Sequence, residues 1–155
     1  MSRDEIGPAR EVLLGARGWR WRQWVNAFYP AEMPLEWRLA FYNTQFDCVF
    51  LPAETWRRAT RRQLAQWAED TRDQFVFLLE GGVETSIPEE IRHRALCLQA
   101  QDARITWFDG QSDIRLLAAV LEQVREGPHF LLSRDGDLRQ LERVRTLLQL
   151  MGVHA

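Results

Sequence analysis

Five short apolar runs, each bounded by turn residues and separated from the next by residues of helical period, constrain this chain more than any other feature. They are Val12 to Gly15, Asp47 to Leu51, Phe75 to Leu79, Arg104 to Phe108 and His129 to Leu132. None is long enough for a buried helix, and none alternates polar with apolar residues, which is the pattern of a strand covered on both faces.

The intervening segments read as helices. From Asp113 to Glu126, Ile114, Leu117, Leu121 and Val124 share one face while Arg115, Glu122 and Arg125 lie elsewhere. Ser112 or Asp113 is placed to cap this helix, and Gly127-Pro128 to end it. The last helix is predicted over Leu138 to Met151, with Leu141, Val144, Leu148 and Met151 as its stripe. Asp135 or Asp137 stands at its start and Gly152 at its end. Further helices are expected over Pro34 to Gln45, over Thr60 to Thr71 with Leu64 and Trp67 inward, and over Pro88 to Ala100 with Ile91, Ala95 and Leu98 inward.

Strands alternating with helices imply parallel pairing through right-handed crossovers, so the expected fold is α/β with about five βα units. Two architectures satisfy that pattern: a truncated TIM-barrel-like sheet, curled one way, or an open doubly wound (flavodoxin-like) sheet. With 155 residues and no Gly/Ser linker, one domain spanning 1–155 is expected. Hydrophobic residues at 46% against 27% charged exclude a disordered or fibrous chain.

Charge narrows the function classes. The net charge is −2, so no global positive field gathers phosphates, and nucleic-acid binding is not expected. All 20 basic residues are Arg. That composition suits bidentate anion recognition, but an Arg-for-Lys bias across a whole chain more often reflects genomic base composition. Cys48 and Cys97 form neither a disulfide framework nor a metal-ligand pattern, and read as small buried hydrophobes. No cofactor or metal is therefore expected. The first residues are polar, and no stretch approaches the ~20 apolar residues of a membrane helix, so a cytoplasmic, membrane-free protein is expected.

Directly after the first run comes Gly18-Trp19-Arg20-Trp21-Arg22-Gln23-Trp24, then Phe28-Tyr29-Pro30, Leu39-Ala40-Phe41-Tyr42 and Phe46-Asp47-Cys48-Val49. Trp67-Ala68-Glu69-Asp70-Thr71 and Phe75-Val76-Phe77 follow at matching spacing. Over residues 15–80 this resembles the YecE-like family, domain of unknown function 72, whose pattern runs Gly-Trp-x-Tyr-x-x-Trp, Phe-Tyr-Pro, a helix, then Phe-Asn-Thr-Val-Glu-Ile-Asn. The resemblance leaves residues 81–155 uncovered. It implies a TIM-barrel-like fold of several hundred residues without an established activity. About three of eight βα units would then be missing, and the sheet would carry two edges that need covering, by rearrangement or by a second copy.

The departures from the family pattern bear on function. Phe50 and Pro52 replace the Glu and Asn of the family's second strand, and Glu80 replaces the Lys that usually ends the third. Strand C-terminal ends are where such folds build sites. The departures suggest that a site was altered or lost.

Candidate ligand-binding residues are Arg17, Trp21, Trp24, Glu80, Asp109 and Arg134, all at or just after strand ends. Glu54, Arg57, Ser133 and Asp135 share that placement, and Ser133-Arg134-Asp135-Gly136 could present backbone N–H groups to an anion. Trp21 and Trp24, with Arg20 and Arg22, offer a stacking platform. The competing reading has Trp19 and Trp24 anchoring a long loop to the core. No catalytic residue is assigned: no Gly-x-Ser-x-Gly elbow or phosphate-binding glycine loop is present, and His93, His129 and His154 are scattered.

Three functions stay open. The leading one is a non-catalytic or regulatory binding domain. Another is a small enzyme acting on an anionic metabolite, with Arg17 or Arg134 as clamp and Asp109 or Glu80 as acid/base. The third is assembly, as a homodimer or with a protein partner, through a strand edge or the aromatic loop.

Overall fold

The computed structural model describes residues 11–125 and 127–153, so His154 lies outside the described residues. Its strands are β1 (Val12–Arg17), β2 (Cys48–Leu51), β3 (Val76–Leu79), β4 (Ala95–Cys97), β5 (Ile105–Phe108) and β6 (His129–Ser133). They form one sheet in the order β4-β3-β2-β1-β6-β5, and every neighbouring pair is parallel. The α-helices are α1 (Arg38–Gln45), α2 (Ala53–Arg58), α3 (Arg61–Asp70), α4 (Ile114–Glu122) and α5 (Leu138–Met151). The expected α/β fold with a parallel sheet is the observed one. No helix among the described residues is long and apolar enough to cross a membrane.

Alternation along each strand divides the core into two unequal parts. Val12, Leu14 and Ala16 of β1, Val49 and Leu51 of β2, and Phe77 and Leu79 of β3 bury against the helices, meeting Leu39, Leu64, Leu117, Leu121, Leu141 and Val144. The intervening residues Leu13, Cys48, Phe50, Leu78, Phe130 and Leu132 form a second cluster to which no helix contributes. Leu98 and Ala100, from the connection after β4, and Trp107 of β5 complete it. Phe50 on β2 meets Trp107 on β5 edge-on at 5.1 Å, although β1 and β6 lie between them in the sheet. The face away from the helices is therefore concave and filled with its own side chains.

Helix boundaries follow local chemistry. Thr60 and Gln63 form a reciprocal capping box on α3, Asp113 accepts from the Arg115 N–H at the start of α4, and Asp137 accepts from the Gln140 N–H at 2.8 Å at the start of α5. Gly152 closes α5 in the left-handed conformation. Between alternatives, the caps chosen are Asp113 over Ser112 and Asp137 over Asp135. Helix α4 ends at Glu122, before the Gly127-Pro128 pair expected to stop it.

Two expectations fail. The helix predicted over Pro88 to Ala100 is instead a 3-10 segment, Glu89–Arg94, followed by strand β4, so there are six strands rather than five. The reason is tertiary. The Arg94 guanidinium donates to the carbonyls of Ala68 (2.8 Å) and Thr71 (2.9 Å), pinning the segment to the end of α3, and Ala95-Leu96-Cys97 then pairs with β3. The second is the start of the helix expected over Pro34 to Gln45, which opens as a 3-10 turn, Leu35–Trp37, and is α-helical only from Arg38; α2, six residues directly after Pro52 where no element was expected, is too short to show a helical period.

The seam between β1 and β2 is unusual. The ladder donates from Gly18 N to the Phe50 carbonyl, so this register would pair Ala16 N with the Cys48 carbonyl. The Tyr42 hydroxyl of α1 stands between those two groups, accepting from Ala16 N at 2.9 Å and donating to the Cys48 carbonyl at 2.7 Å. One step earlier, the Asp47 carboxylate accepts from Leu14 N at 3.2 Å and is paired with Arg72 at 2.9 Å. Gly15 is required beside this seam, because a Cβ there would lie 2.1 Å from the Cys48 carbonyl oxygen. Burial raises the pKa of the Tyr42 phenol well above its usual value, so the hydroxyl keeps its proton as donor.

Tyr42→Phe leaves a buried N–H and a buried carbonyl without their bridge, and should cost about 1–3 kcal/mol in urea denaturation. Unchanged stability would show that the ladder closes directly. A second expectation concerns pH. Burial lowers the pKa of His129, whose Nε2 lies 2.7 Å from Thr106 Oγ1. Below the unfolded value of about 6.5 the unfolded chain then binds the proton more readily. Stability conferred by neutral His129 is present above that pH and lost as pH falls toward the folded pKa. His129→Gln should flatten this part of the stability profile between about pH 7.5 and 5.5.

Candidate functional site

Where β1 and β2 end, the chain leaves the sheet in two turns that face each other. After β1, Arg17-Gly18 leads into the aromatic segment; after β2, Pro52 starts α2. Between them opens a cleft of about 800 Å³ lined by Arg17, Gly18, Trp19, Arg20, Trp21, Arg22 and Gln23 on one side. Pro52, Glu54, Thr55, Arg58, Ala59, Gln63 and Trp67 line the other.

The aromatic segment divides its labour. Trp24 is fully buried among Phe28, Tyr29, Tyr42 and Phe46, and its indole N–H donates to the Gly136 carbonyl at 2.7 Å. Trp19 is buried edge-on against Trp67 at 5.2 Å, and its carbonyl accepts from the Tyr29 hydroxyl. Both are anchors. The ligand-contact reading of Trp24 therefore gives way to the anchoring one, because no part of that side chain reaches solvent. Trp21 differs: it is half-buried and lines the cleft.

Trp21 rests on Gly136, where a Cβ would come within 2.6 Å of the ring. Its indole N–H is buried with no hydrogen-bond partner, whereas the indoles of Trp24, Trp56 and Trp107 each donate to a backbone carbonyl. Gln23 ties the same segment to the Asp135 carbonyl at 2.8 Å. The β6–α5 turn thus forms the outer support of the cleft wall.

Electrostatically the cleft is one-sided. Arg17, Arg20, Arg22 and Arg58 against Glu54 give a formal charge of +3 (four minus one) on a chain of net −2. Arg20 lies over the Trp19 ring at 5.6 Å. Among the described residues, none of the four guanidinium groups takes part in a hydrogen bond or an ion pair. Other arginines do: Arg72 pairs with Asp47 at 2.9 Å and Arg104 with Asp102 at 3.0 Å.

The remaining sequence candidates lie elsewhere. Glu80 caps α2, its Oε1 accepting from Ala53 N at 3.3 Å while its carbonyl accepts from the Trp56 indole at 3.0 Å. Asp109 accepts from Gln111 N and Ser112 Oγ and faces Arg134 at 3.8 Å, and Arg134 lies over Trp107 at 5.8 Å. Asp135 accepts from Gly110 N and Asp137 N, and buried Ser133 from Gly136 N. Arg57 covers Trp56 and donates to the Gly81 carbonyl. Of Arg17, Arg134, Asp109 and Glu80, offered as the machinery of an enzyme, only Arg17 lines the cleft. Arg58, on α2, was missed because that helix was missed.

Each departure from the family pattern has a packing role. Phe50 fills the concave face, Pro52 starts α2, and Glu80 caps it. Cys48 is buried and Cys97 half-buried, both unpaired, and burial raises both thiol pKa values. Among the described residues no group of three or more His, Cys, Asp or Glu side chains could hold a metal ion.

Glu80→Ala removes the carboxylate from the first turn of α2 and should lower stability by about 1 kcal/mol, measured by thermal denaturation. It should leave ligand binding in the cleft unchanged. A binding loss without a stability loss would place Glu80 in the site instead.

Neither the curated proteins nor the solved structures contain a match to this chain. A family model does match, over residues 13–149, and so extends the similarity read from residues 15–80 through β5, β6 and α5. The chain belongs to the family described as protein of unknown function DUF72.

Proposed function

We propose that this chain is a non-catalytic binding domain that holds an anionic ligand in the cleft at the C-terminal ends of β1 and β2. The observation that carries this reading is that Arg17, Arg20, Arg22 and Arg58, none of them in a hydrogen bond or ion pair with the described residues, line one cleft that holds a single carboxylate. Guanidinium groups stay charged at any physiological pH and present forked donors that match carboxylate and phosphate oxygens. Like charges brought together without a counter-charge repel, so an anion bound among them relieves an unfavourable arrangement.

The same wall supports binding without chemistry. The lining holds one carboxylate, Glu54, and no His, Cys, Lys, Tyr or Asp accompanies it. Paired titratable side chains, the usual equipment for moving a proton both onto and off a substrate, are not part of this lining.

We also read the sheet as a shortened TIM-barrel-like one. Its strand order is cyclic with one break: β1 to β4 run in sequence on one side, and β5 and β6 return to β1 on the other. Helices contribute to one face alone, as in a barrel. The break falls between β4 and β5, joined by residues 98–104 without a helix. The missing units are then internal rather than terminal.

Calorimetric titration with inorganic tripolyphosphate at low salt tests the function. Arg22→Gln and Arg58→Gln should each weaken binding about tenfold, roughly 1.4 kcal/mol, with affinity falling steeply as salt is raised. Absence of binding, or binding indifferent to both substitutions, overturns the proposal; so does release of orthophosphate that depends on Glu54.

A further inference from the structure

Charge alone does not account for the cleft. An inorganic anion would occupy a small part of about 800 Å³, a volume in the range of pockets that bury organic ligands of several hundred daltons. One wall is aromatic, and only Trp21 can meet a ligand there, because Trp19 and Trp67 are 3% and 7% exposed. Trp21 is flanked in sequence by Arg20 and Arg22, so a ring surface and two cations share one short segment.

How Trp21 is held points the same way. Gly136, lacking a side chain, lets the indole lie against the β6–α5 turn, and no hydrogen bond fixes it. A buried donor without an acceptor is unfavourable by about 1–3 kcal/mol and calls for a reason. The neighbouring Trp24 has the same turn available and uses it, donating to the Gly136 carbonyl. Trp21 makes no such bond.

We propose that the ligand carries a planar ring as well as negative charge, the chemical class of a free nucleotide. Its ring lies on Trp21, and its phosphates are held by Arg17, Arg20 and Arg22 from one wall and Arg58 from the other. This rests on the anion-binding reading above and adds the ring to it. Stacking on an indole is tolerant of base identity, so the site discriminates nucleotide from inorganic phosphate more than base from base. A free nucleotide is favoured over a nucleic-acid strand because the chain as a whole is net negative, at −2.

Titrating the full chain with ATP, with inorganic tripolyphosphate and with a short single-stranded oligonucleotide at one ionic strength separates the claims. ATP should bind about tenfold more tightly than tripolyphosphate. Trp21→Leu should abolish that preference while leaving tripolyphosphate affinity within about twofold, and Trp21→Phe should retain part of it. Arg58→Gln should weaken both ligands together, and far-UV circular dichroism should report every variant folded. If ATP and tripolyphosphate bind wild type equally, the ring is overturned and the anion site survives. If neither binds, both readings fall. If the oligonucleotide binds about tenfold more tightly than ATP, the site belongs to a nucleic-acid strand and the free-nucleotide class is wrong.

Discussion

One hydroxyl group organises the β1–β2 seam, and the cleft depends on that seam. Tyr42 reaches from α1 to stand between Ala16 N and the Cys48 carbonyl, replacing one rung of a parallel ladder with two hydrogen bonds through its hydroxyl. The bridge works because three conditions hold together. Gly15 lets the strands approach, burial keeps the phenol protonated, and stacking against Trp24 with Phe46 beside it fixes the ring. Two residues further on, Gly18 N meets the Phe50 carbonyl and the ladder resumes. From that rung the two chains diverge, one toward Trp21 and the other toward Arg58. The position of each cleft wall is therefore set by the core beneath it, and exposed arginines gain a defined spacing from buried aromatic packing.

The concave face explains why the site stands at the rim. Here six strands curl around a small cluster in which Phe50 meets Trp107, and Leu98 and Ala100 pack in from the connection between β4 and β5. The Trp107 indole donates to the Ala100 carbonyl at 2.7 Å, tying that connection to the edge strand. Polar groups in so filled an interior would be left unpaired, at a cost of a few kcal/mol each. Phenylalanine and proline at positions 50 and 52, and a helix-capping carboxylate at 80, are the residues such an interior and its rim tolerate. The cleft opens beside that interior, where β1 and β2 end.

The sequence made the strongest periodicities legible and left the shortest elements hidden. All five apolar runs are strands, and α3 and α5 begin and end within a residue of their expected bounds, because amphipathic stripes and side-chain caps are local properties. Strand β4 and helix α2 escaped for the opposite reason. Three residues of strand and six of helix carry no readable period, and each is held by a distant partner: β4 by Arg94 reaching Ala68 and Thr71, α2 by Glu80. The tryptophans show the same limit. Trp21 and Trp24 are equivalent in sequence, yet one reaches the cleft and the other the core. The difference lies in Gly136, more than a hundred positions away. Of the cleft's cations, Arg17, Arg20 and Arg22 were visible beside the aromatic run, whereas Arg58 became visible only with α2.

Global charge was the least informative number, and the reason is geometric. A net charge of −2 argues against a long-range positive field, but screening at physiological salt limits exposed charges to about 8 Å. At that range the local balance decides, and the cleft's lining carries four guanidinium groups against one carboxylate. Several of the molecule's acids are committed elsewhere: Asp47 to Arg72, Asp102 to Arg104, Glu90 to Arg61, and Asp113 and Asp137 to helix caps. Pairing the acids with arginines outside the cleft leaves the cleft's own arginines uncompensated. A slightly acidic protein can thereby present a locally basic site, and composition alone has no means of separating the two.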